Sequence, residues 1–369
     1  MIQYLKLGSL TRIRTGKLDA NAADDNGKYP FFTCSKEPLS INTCSYDCEC
    51  VLVAGNGDLN VKYYDGKFDA YQRTYIIESL DKTKLMVKYL YCFLDLYVEI
   101  LRQQAIGGVI KYIKLGNLAD AIIPVPVIEK QREIIEIFEK CNGTIAYRHQ
   151  ELLLMDQLVK SRFIEMFGDP KRNPRKWDMV TIGDIATDVR YGTSRPATEG
   201  GKYPYLRMNN LTYEGYLDLT DLKHIDIPDN EVEKCVVRNG DVLFNRTNSV
   251  ELVGKTCVYN LDSDMIIAGY IIRVRIDDRV LPVILSSYLN STVMKEQLRS
   301  MAKGAVNQAN INAQELRSIP IYLPPITLQH EFATFVEQVD KSKFYIVQMQ
   351  ILLRLLTRAI QQKTTEVLL

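Results

Sequence analysis

The sequence predicts a mixed α/β protein with two domains and two long helices. Two blocks of short strand-like and helical runs are each followed by a long amphipathic helix, and the second block and helix repeat the plan of the first. We expect two mixed α/β domains separated by two long helices that form an antiparallel coiled coil. The predicted segments are 1–125 (first domain), 126–168 (central helix), 169–177 (basic linker), 178–322 (second domain) and 323–369 (C-terminal helix).

The composition is consistent with such a protein. A chain of 369 residues is too long for one ordinary core, and 46% hydrophobic with 25% charged residues is usual for a soluble fold. With 46 basic and 45 acidic residues, a nucleic-acid partner would require clustered cations. Because no apolar run approaches the roughly 20 residues that span a bilayer and no signal-peptide core is present, we expect a cytoplasmic protein with reduced cysteines.

The first block contains short strand-like runs that are separated by Gly, Asn and Asp. They are YPFFTC, CECVLVAG, KYYDG and RTYIIES. The apolar stretch 85–104 is long enough for a buried helix. Cys34, Cys44, Cys48 and Cys50 cluster in this block, but their spacing is unusual for zinc, so we favour packed, free cysteines over a metal site.

The second block has the same order of elements. Its strand-like runs include YPYLRM, CVVRNGDVLFNRT, ELVGKTCVY and MIIAGYIIRVRI, and 281–302 is predicted to be one helix.

Each long helix has an apolar seam, defined as the residues at alternating spacings of three and four that face a partner helix. In the central helix the seam is Ile134, Phe138, Cys141, Ile145, Arg148, Leu152, Met155 and Val159. In the C-terminal helix it is Phe332, Phe335, Val339, Ser342, Ile346, Met349, Leu353, Leu356 and Ile360.

An internal repeat relates the two halves. A shift of 198 residues places Pro126 on Pro324 and Gln131 on Gln329, which indicates duplicated domains rather than a solenoid. Antiparallel pairing of two helices of about 38 residues would place the blocks roughly 55–60 Å apart. That distance exceeds one turn of B-DNA, about 34–36 Å, and suits a reader of two separated half-sites.

No catalytic constellation stands out. His149, His224 and His330 are far apart and lack metal-ligand spacing. The segment Gly254-Lys255-Thr256 resembles the end of a P-loop, but Ser249 occupies the position of the required first glycine. The sequence therefore favours a binding protein over an enzyme, with no cofactor and no metal on this chain.

The polar residues that do concentrate suit contacts with DNA, because Arg and Asn can pair with base edges while Ser, Thr and Lys suit phosphates. In the second block they lie at predicted strand ends. They are Arg195, Arg207, Asn209, Asn210, Asn245, Arg246, Thr247, Asn248, Ser249 and Lys255, together with Gln308 in the loop before the last helix. The alternative is a polar hairpin loop in which Asn caps its own turn. The first-block candidates are Lys17, Lys36, Asn56, Gln72, Arg73 and Lys111.

Three segments resemble the specificity subunit of type I restriction–modification systems. They are GDVLFNRTNSVELVGK, the MFGDP…NP…W linker from Met166 to Trp177, and PPITLQHEFATFVEQVDKSK. The resemblance covers nearly the whole chain. In the first block, however, GNGDLNVKYYDGKFDAYQRTYII replaces the NRTNS segment.

The resemblance implies two target-recognition domains, each reading one half of a split DNA site. The paired helices would set the gap and dock two methyltransferase subunits that bind S-adenosylmethionine and methylate adenine, and restriction subunits would join that core. The chain itself would be non-catalytic. Two rival hypotheses are a specificity partner of another type of restriction–methylation enzyme, or a regulator with the same fold, and a coiled-coil scaffold whose domains bind protein.

Overall fold

The computed structural model describes residues 2–305 and 308–366, with side chains described for 2–302 and 309–356. Helices and strands are mixed throughout, which confirms the predicted fold class. The described chain forms two compact units. The first unit contains the residues up to Arg148 and those from Gln348 onward, and the second contains His149–Val347. No helix in the described part of the chain is both long and apolar enough to cross a membrane.

The first unit is built around one sheet and one buried helix. Its strands are β1 (Gln3–Lys6), β2 (Thr11–Thr15), β3 (Tyr29–Phe32), β4 (Leu39–Ile41), β5 (Tyr46–Ala54), β6 (Val61–Ala70), β7 (Thr74–Ser79) and β8 (Ile122–Val125). Its helices are α1 (Leu7–Leu10), α2 (Val87–Gln104) and α3 (Leu115–Ala119), and the long helix α4 (Ile128–Phe167) follows.

A six-stranded sheet with the order β2-β7-β5-β6-β3-β4 forms the centre of this unit. Side chains alternate between the two faces of a strand. Val51 and Val53 of β5 therefore share a core cluster with α2, whereas Leu52 joins a second cluster with Phe32 and Phe68. Burial on both faces explains why the first half of the sequence contains near-continuous apolar runs rather than strict alternation.

The second unit has more and shorter elements. Its strands are β9 (Asp178–Thr181), β10 (Ala186–Tyr191), β11 (Tyr203–Leu206), β12 (Lys223–Ile225), β13 (Val236–Val237), β14 (Val242–Asn245), β15 (Thr247–Asn248), β16 (Thr256–Val258), β17 (Met265–Ile267), β18 (Ile271–Ile276), β19 (Lys303–Ala305), β20 (Gln308–Asn310) and β21 (Pro320–Leu323). Its helices are α5 (Ile182–Ile185), α6 (Asp229–Cys235), α7 (Pro282–Asn290), α8 (Thr292–Met301) and α9 (Ala313–Arg317), followed by the long helix α10 (Ile326–Glu366).

Two four-stranded sheets, β10-β18-β14-β16 and β12-β11-β17-β13, take the place of the single sheet. The prediction of one helix over 281–302 is wrong, because two helices meet at Ser291. This residue has an extended backbone, and its hydroxyl accepts a hydrogen bond from the Met294 amide, so that it caps the start of α8. Serine is a preferred residue at that position of a helix.

Two buried glutamines occupy equivalent places in the two units and confirm that the repeat is structural. Gln131 and Gln329 have no exposed surface. Each amide oxygen accepts from the main-chain nitrogen just before a helix, and each amide nitrogen donates to two carbonyl groups. The partners are Met86, Lys84 and Pro126 for Gln131, and Leu281, Arg279 and Pro324 for Gln329.

The predicted seam of α4 agrees with the observed burial. Ile134 and Phe138 are buried in the core of the first unit, and the seam positions from Cys141 to Val159 are half-buried between exposed neighbours such as Leu154 and Leu158. Beyond this seam, Phe163 and Phe167 enter the core of the second unit.

The predicted seam of α10 is partly wrong. Ser342, Met349 and Leu356 are exposed, whereas Lys343 and Gln350 are half-buried and Ile346 is buried. Hydrophobicity alone could not identify these polar seam positions, because their partners lie far away in sequence. The Lys343 ammonium donates to the Asp156 carboxylate and the Tyr216 hydroxyl, and the Gln350 amide donates to the Ile145 carbonyl at 3.4 Å. Ile360 lies outside the residues whose side chains the structure describes.

The two long helices run antiparallel within the second unit. The Phe332 ring lies 5.5 Å from both the Phe163 and the Phe167 rings, and farther along α10 Lys343 meets Asp156. Contacts therefore move toward the start of α4 as residue numbers rise along α10, which is the pairing that the two seams predict.

Candidate nucleic-acid interface

The candidate DNA-contacting residues of the first unit are brought together by main-chain hydrogen bonds. The Gly55 amide donates to the Arg73 carbonyl at 2.8 Å, and the Gly57 amide donates to the Lys111 carbonyl at 2.9 Å. The Gln72 amide donates to the Leu18 carbonyl at 2.9 Å. Lys17, Asn56, Gln72, Arg73 and Lys111 thus come from four separate segments, and we call them the first contact edge.

A glycine permits the close packing of this edge. A Cβ atom at Gly55 would lie 2.3 Å from the Arg73 carbonyl oxygen, well inside any real contact. Only glycine allows the two backbones to approach so closely. The turn that carries Asn56 is therefore held directly against the segment that carries Gln72 and Arg73.

The cations of the first contact edge are available to a ligand. Lys17, Arg73 and Lys111 are exposed, and within the described residues none of them forms an ion pair. Lys36 is also exposed, and its ammonium lies 3.8 Å from the Asp58 carboxylate. Gln72 is exposed and Asn56 is half-buried. Unpaired cations beside an amide are the groups that phosphate and base contacts require.

The candidates of the second unit also converge, around the segment from Asn245 to Ser249. The Arg246 amide donates to the Tyr270 carbonyl, and the Asn245 amide donates to the Lys255 carbonyl. The Lys255 ammonium in turn donates to the Met208 carbonyl at 2.8 Å, between Arg207 and Asn209. We call Arg195, Arg207–Asn210, Asn245–Ser249 and Lys255 the second contact edge.

Four of these candidates are buried, namely Asn210, Asn245, Thr247 and Lys255. Their polar groups form internal hydrogen bonds. The side-chain amide of Asn245 donates to the carbonyls of Thr247 and Tyr270, and the Thr247 hydroxyl donates to the side-chain carbonyl of Asn310. Burial also lowers the pKa of the Lys255 ammonium. These four side chains shape the edge from inside, so a direct DNA contact is better sought among their exposed neighbours.

The arginines of the second contact edge are engaged within the protein. Arg195 forms a bidentate pair with Glu231 at 2.8 and 3.1 Å, and Arg207 pairs with Asp221 at 2.6 Å. Arg246 is half-buried. Its guanidinium lies 4.8 Å from the centre of the Tyr191 ring and donates to the Gly269 carbonyl at 3.4 Å. Asparagine side chains extend the same surface, because Asn209 is exposed and Asn248 is half-buried and bonded to Asn245.

Ser249 is half-buried, and its amide donates to the Asn248 side chain at 2.9 Å. Gln308 begins β20, which pairs with β15 and so lies beside Thr247 and Asn248. The Gln308 side chain lies outside the described part of the chain.

Two tyrosines of this surface were not identified from the sequence. Tyr191 and Tyr270 are exposed, and both touch Arg246, the first through its ring and the second through its carbonyl. The sequence contains 22 tyrosines, so their number gave no means of selecting these two. An exposed ring stacked on a guanidinium can present both groups to one ligand.

The four clustered cysteines of the first block lie on strand β5 or in the loops beside the sheet. Cys48 and Cys50 lie on β5, and burial raises the pKa of both thiols. No group of three or more potential metal ligands was found among the described residues.

A family model and several known proteins resemble this chain. A family model described as "Type I restriction modification DNA specificity domain" matches residues 2–153 and 174–356. The EcoDI type I specificity subunit of Escherichia coli is 37% identical over 156 residues, which is 42% of this chain and 34% of that protein. The EcoKI specificity subunit of E. coli K12 is 23% identical over 261 residues, or 66% of this chain and 56% of that protein. The matches thus span between 34% and 56% of the length of these relatives.

Two solved structures share the fold over 98% of this chain. The type I restriction–modification S subunit from M. genitalium has a TM-score of 0.53 at 15% identity, with 96% of its chain covered. A chain from a study of assembly and conformational transition in the type I system has a TM-score of 0.57 at 18% identity, with 97% covered. Because the family model matches both halves of the repeat, the chain belongs to the family of type I restriction–modification DNA specificity domains.

Proposed function

We propose that this protein is the DNA specificity subunit of a type I restriction–modification complex and that each domain reads one half of a bipartite site. The first contact edge carries this proposal. Lys17, Arg73 and Lys111 are exposed and unpaired cations in the described structure, and they surround Asn56 and Gln72. Cations that hold phosphates and amides that reach base edges are the two parts of sequence-specific recognition.

The proposed domain boundaries are those predicted above. The spacing role of the helices is also part of the proposal. α4 and α10 contain 40 and 41 residues, so each is about 60 Å long. Polar contacts inside the seam, such as Lys343 with Asp156, would fix the register of the pair, as polar seam residues do in other coiled coils. The paired helices can set a constant gap between half-sites only if their register is fixed.

The proposed partners are double-stranded DNA, two methyltransferase subunits and the restriction subunits of the full complex. The complex would act in the cytoplasm. S-adenosylmethionine would bind to the methyltransferase subunits, and this chain would be non-catalytic. The outer faces of the long helices suit docking. In the second unit Leu154, Leu158, Phe344 and Val347 are exposed on them, and apolar surface of this kind marks interaction sites.

Removing the free cations tests DNA binding by the first contact edge. Lys17→Gln, Arg73→Gln and Lys111→Gln, singly and together, should weaken binding of the assembled complex to duplex DNA. Each lost phosphate contact should also reduce the slope of log Kd against log salt by about 0.9. Titration of labelled duplex at several salt concentrations measures both quantities.

Lys84→Gln is the matched control. Lys84 is exposed in the turn that follows β7, whereas Arg73 lies just before β7, so the control removes a charge at the opposite end of the same strand. An unchanged salt slope in the triple variant would exclude this edge from the DNA interface. A complex that binds no DNA at all would favour the protein-binding scaffold.

A further inference from the structure

An apolar loop tip projects beside the first contact edge. Ile106 and Tyr112 exchange main-chain hydrogen bonds of 3.0 and 2.8 Å and close a short hairpin. Val109, at the end of this hairpin, is fully exposed, and Ile110 is 62% exposed. We call Val109 and Ile110 the apolar tip.

The hairpin is held firmly although its end is free. The Gly57 amide donates to the Lys111 carbonyl at 2.9 Å, and the Ile113 amide donates to the Gly55 carbonyl at 2.9 Å. Gly107 has φ of +119° in the turn before the tip, a conformation that glycine adopts readily and other residues rarely do. The base of the loop is therefore anchored to the turn that carries Asn56, and the tip stands at the contact edge itself.

The charges around the tip indicate its occupant. Lys111 is adjacent in sequence, and Arg73 is joined to the same turn through Gly55. Single exposed apolar residues are common, but two in succession on an anchored tip beside unpaired cations form a mixed surface. Duplex DNA is complementary to it, since phosphates match the cations, and thymine methyl groups or base faces match the apolar side chains.

We propose that Val109 and Ile110 are specificity-determining residues that enter a groove of the DNA and make apolar contacts with bases. The cations of the first contact edge hold the phosphates on either side. This inference rests on the proposed function and adds a recognition element of a different chemistry, since none of the polar candidates makes an apolar base contact.

The test uses the complete chain assembled with its methyltransferase subunits and a duplex that carries the site found by methylation mapping. Val109→Ser with Ile110→Ser removes the apolar surface and leaves the backbone and the charges in place. Kd for this duplex should rise about tenfold or more, as expected for two apolar side chains that are no longer buried. The salt slope should stay the same, because no phosphate contact is lost. Methylation mapping should show relaxed sequence preference in one half-site only.

Two further variants make the result specific. Val109→Ile with Ile110→Val keeps the apolar surface and should bind like the wild type. Leu80→Ser removes a side chain that is 64% exposed, close to the value for Ile110, just after the far end of β7, and should also bind like the wild type.

An unchanged Kd and methylation pattern for the double serine variant, with wild-type binding intact, overturns the role of the tip and leaves the proposed function standing. Loss of methyltransferase co-purification instead of DNA affinity would also overturn it, in favour of a protein contact. A wild-type complex without sequence-specific DNA binding would overturn both proposals.

Discussion

The two units present their candidate DNA-contacting residues in different ways. In the first unit Lys17, Arg73 and Lys111 are exposed and unpaired among the described residues. In the second unit Arg195 and Arg207 are paired with carboxylates, and Lys255 is buried. If both edges bind DNA as proposed, the first edge can hold phosphates as it stands, whereas the arginines of the second edge must exchange an internal partner for DNA or act by shaping the surface.

The sheets differ because two neighbouring strands of the first unit are each divided in the second. In the first unit β6 pairs with β5 along most of its length and then, at Asp69 and Ala70, pairs in parallel with β3. In the second unit β16 takes the first pairing and β17 takes the second, and residues 259–264 separate them. The counterpart of β5 is divided in the same way, because β14 pairs with β16 whereas β13 pairs with β17. Breaks in two neighbouring strands therefore separate one sheet into two.

The cores of the two units also differ at one pair of equivalent residues. Ile76 of β7 pairs with Arg14 and Leu52, and Arg273 of β18 pairs with Arg190 and Leu243, so they occupy equivalent places. Ile76 and Arg273 are both buried. The Arg273 guanidinium donates to the Val236 carbonyl and to the Asp188 carboxylate. The second unit thus holds a buried arginine paired with a half-buried aspartate where the first unit has an aliphatic contact.

Breaking this ion pair should have the largest effect. Asp188→Ala leaves the buried guanidinium uncompensated and should lower the free energy of unfolding of the second unit by about 3–5 kcal/mol. Arg273→Ile copies the residue of the first unit and should cost less, because it removes the buried charge together with the need for its partner. Urea denaturation followed by the fluorescence of Trp177, the one tryptophan of the chain, reports on this unit.

Arg190→Ala is the control for that comparison. Arg190 pairs with the same carboxylate at 2.8 Å but is half-exposed, so its loss should change the free energy of unfolding by no more than about 1 kcal/mol. If Arg190→Ala and Asp188→Ala lower the free energy of unfolding equally, the burial of the Arg273 guanidinium does not make the loss of its partner more destabilising.

A second buried cation makes the stability of the second unit depend on pH, with a smaller effect. Lys295 on α8 is buried, and its ammonium donates to the Gly254 carbonyl at 2.7 Å. Burial, aided by the nearby cations Lys160, Lys255 and Arg299, lowers the pKa of Lys295 to about 7. Because the unfolded chain then binds more protons than the folded one above pH 7, the unfolding free energy rises with pH from about 7 toward the ordinary lysine value.

Lys295→Met should therefore stabilise the second unit most at pH 7 and below. The advantage of the variant over the wild type should shrink by about 2 kcal/mol between pH 7 and pH 9. Trp177 fluorescence during urea denaturation at both pH values measures the difference. An advantage independent of pH would mean that Lys295 remains charged at pH 9 in the folded protein.

The sequence contained much of the architecture. The long helices follow from apolar residues at spacings of three and four, and the repeat identified Gln131 and Gln329, whose matching hydrogen bonds join corresponding parts of each unit. These features are visible because each depends on a local pattern or on a comparison of the chain with itself. They are confirmed by the structure.

Other features depend on residues that are distant in sequence, and local patterns could not predict them. Lys343 lies in the seam because Asp156, 187 residues away, accepts its hydrogen bond. Asn245 and Thr247 are in a polar run typical of a loop, yet both are buried against strands that come later in the chain. The apolar tip follows Gly107 and Gly108 in an ordinary loop sequence, and only the contacts with Gly55 and Gly57 place it beside the cations.

Methylation mapping of a strain that contains this chain and the proposed methyltransferase partner tests the central claim most directly. The wild type should modify one bipartite sequence with two half-sites and a fixed gap. Insertion of the same number of residues into α4 near Gly143 and into the facing part of α10 should change the length of the gap and leave both half-site sequences as they were. A continuous target sequence, or a gap that stays the same in the insertion variant, would contradict two separate readers held apart by paired helices.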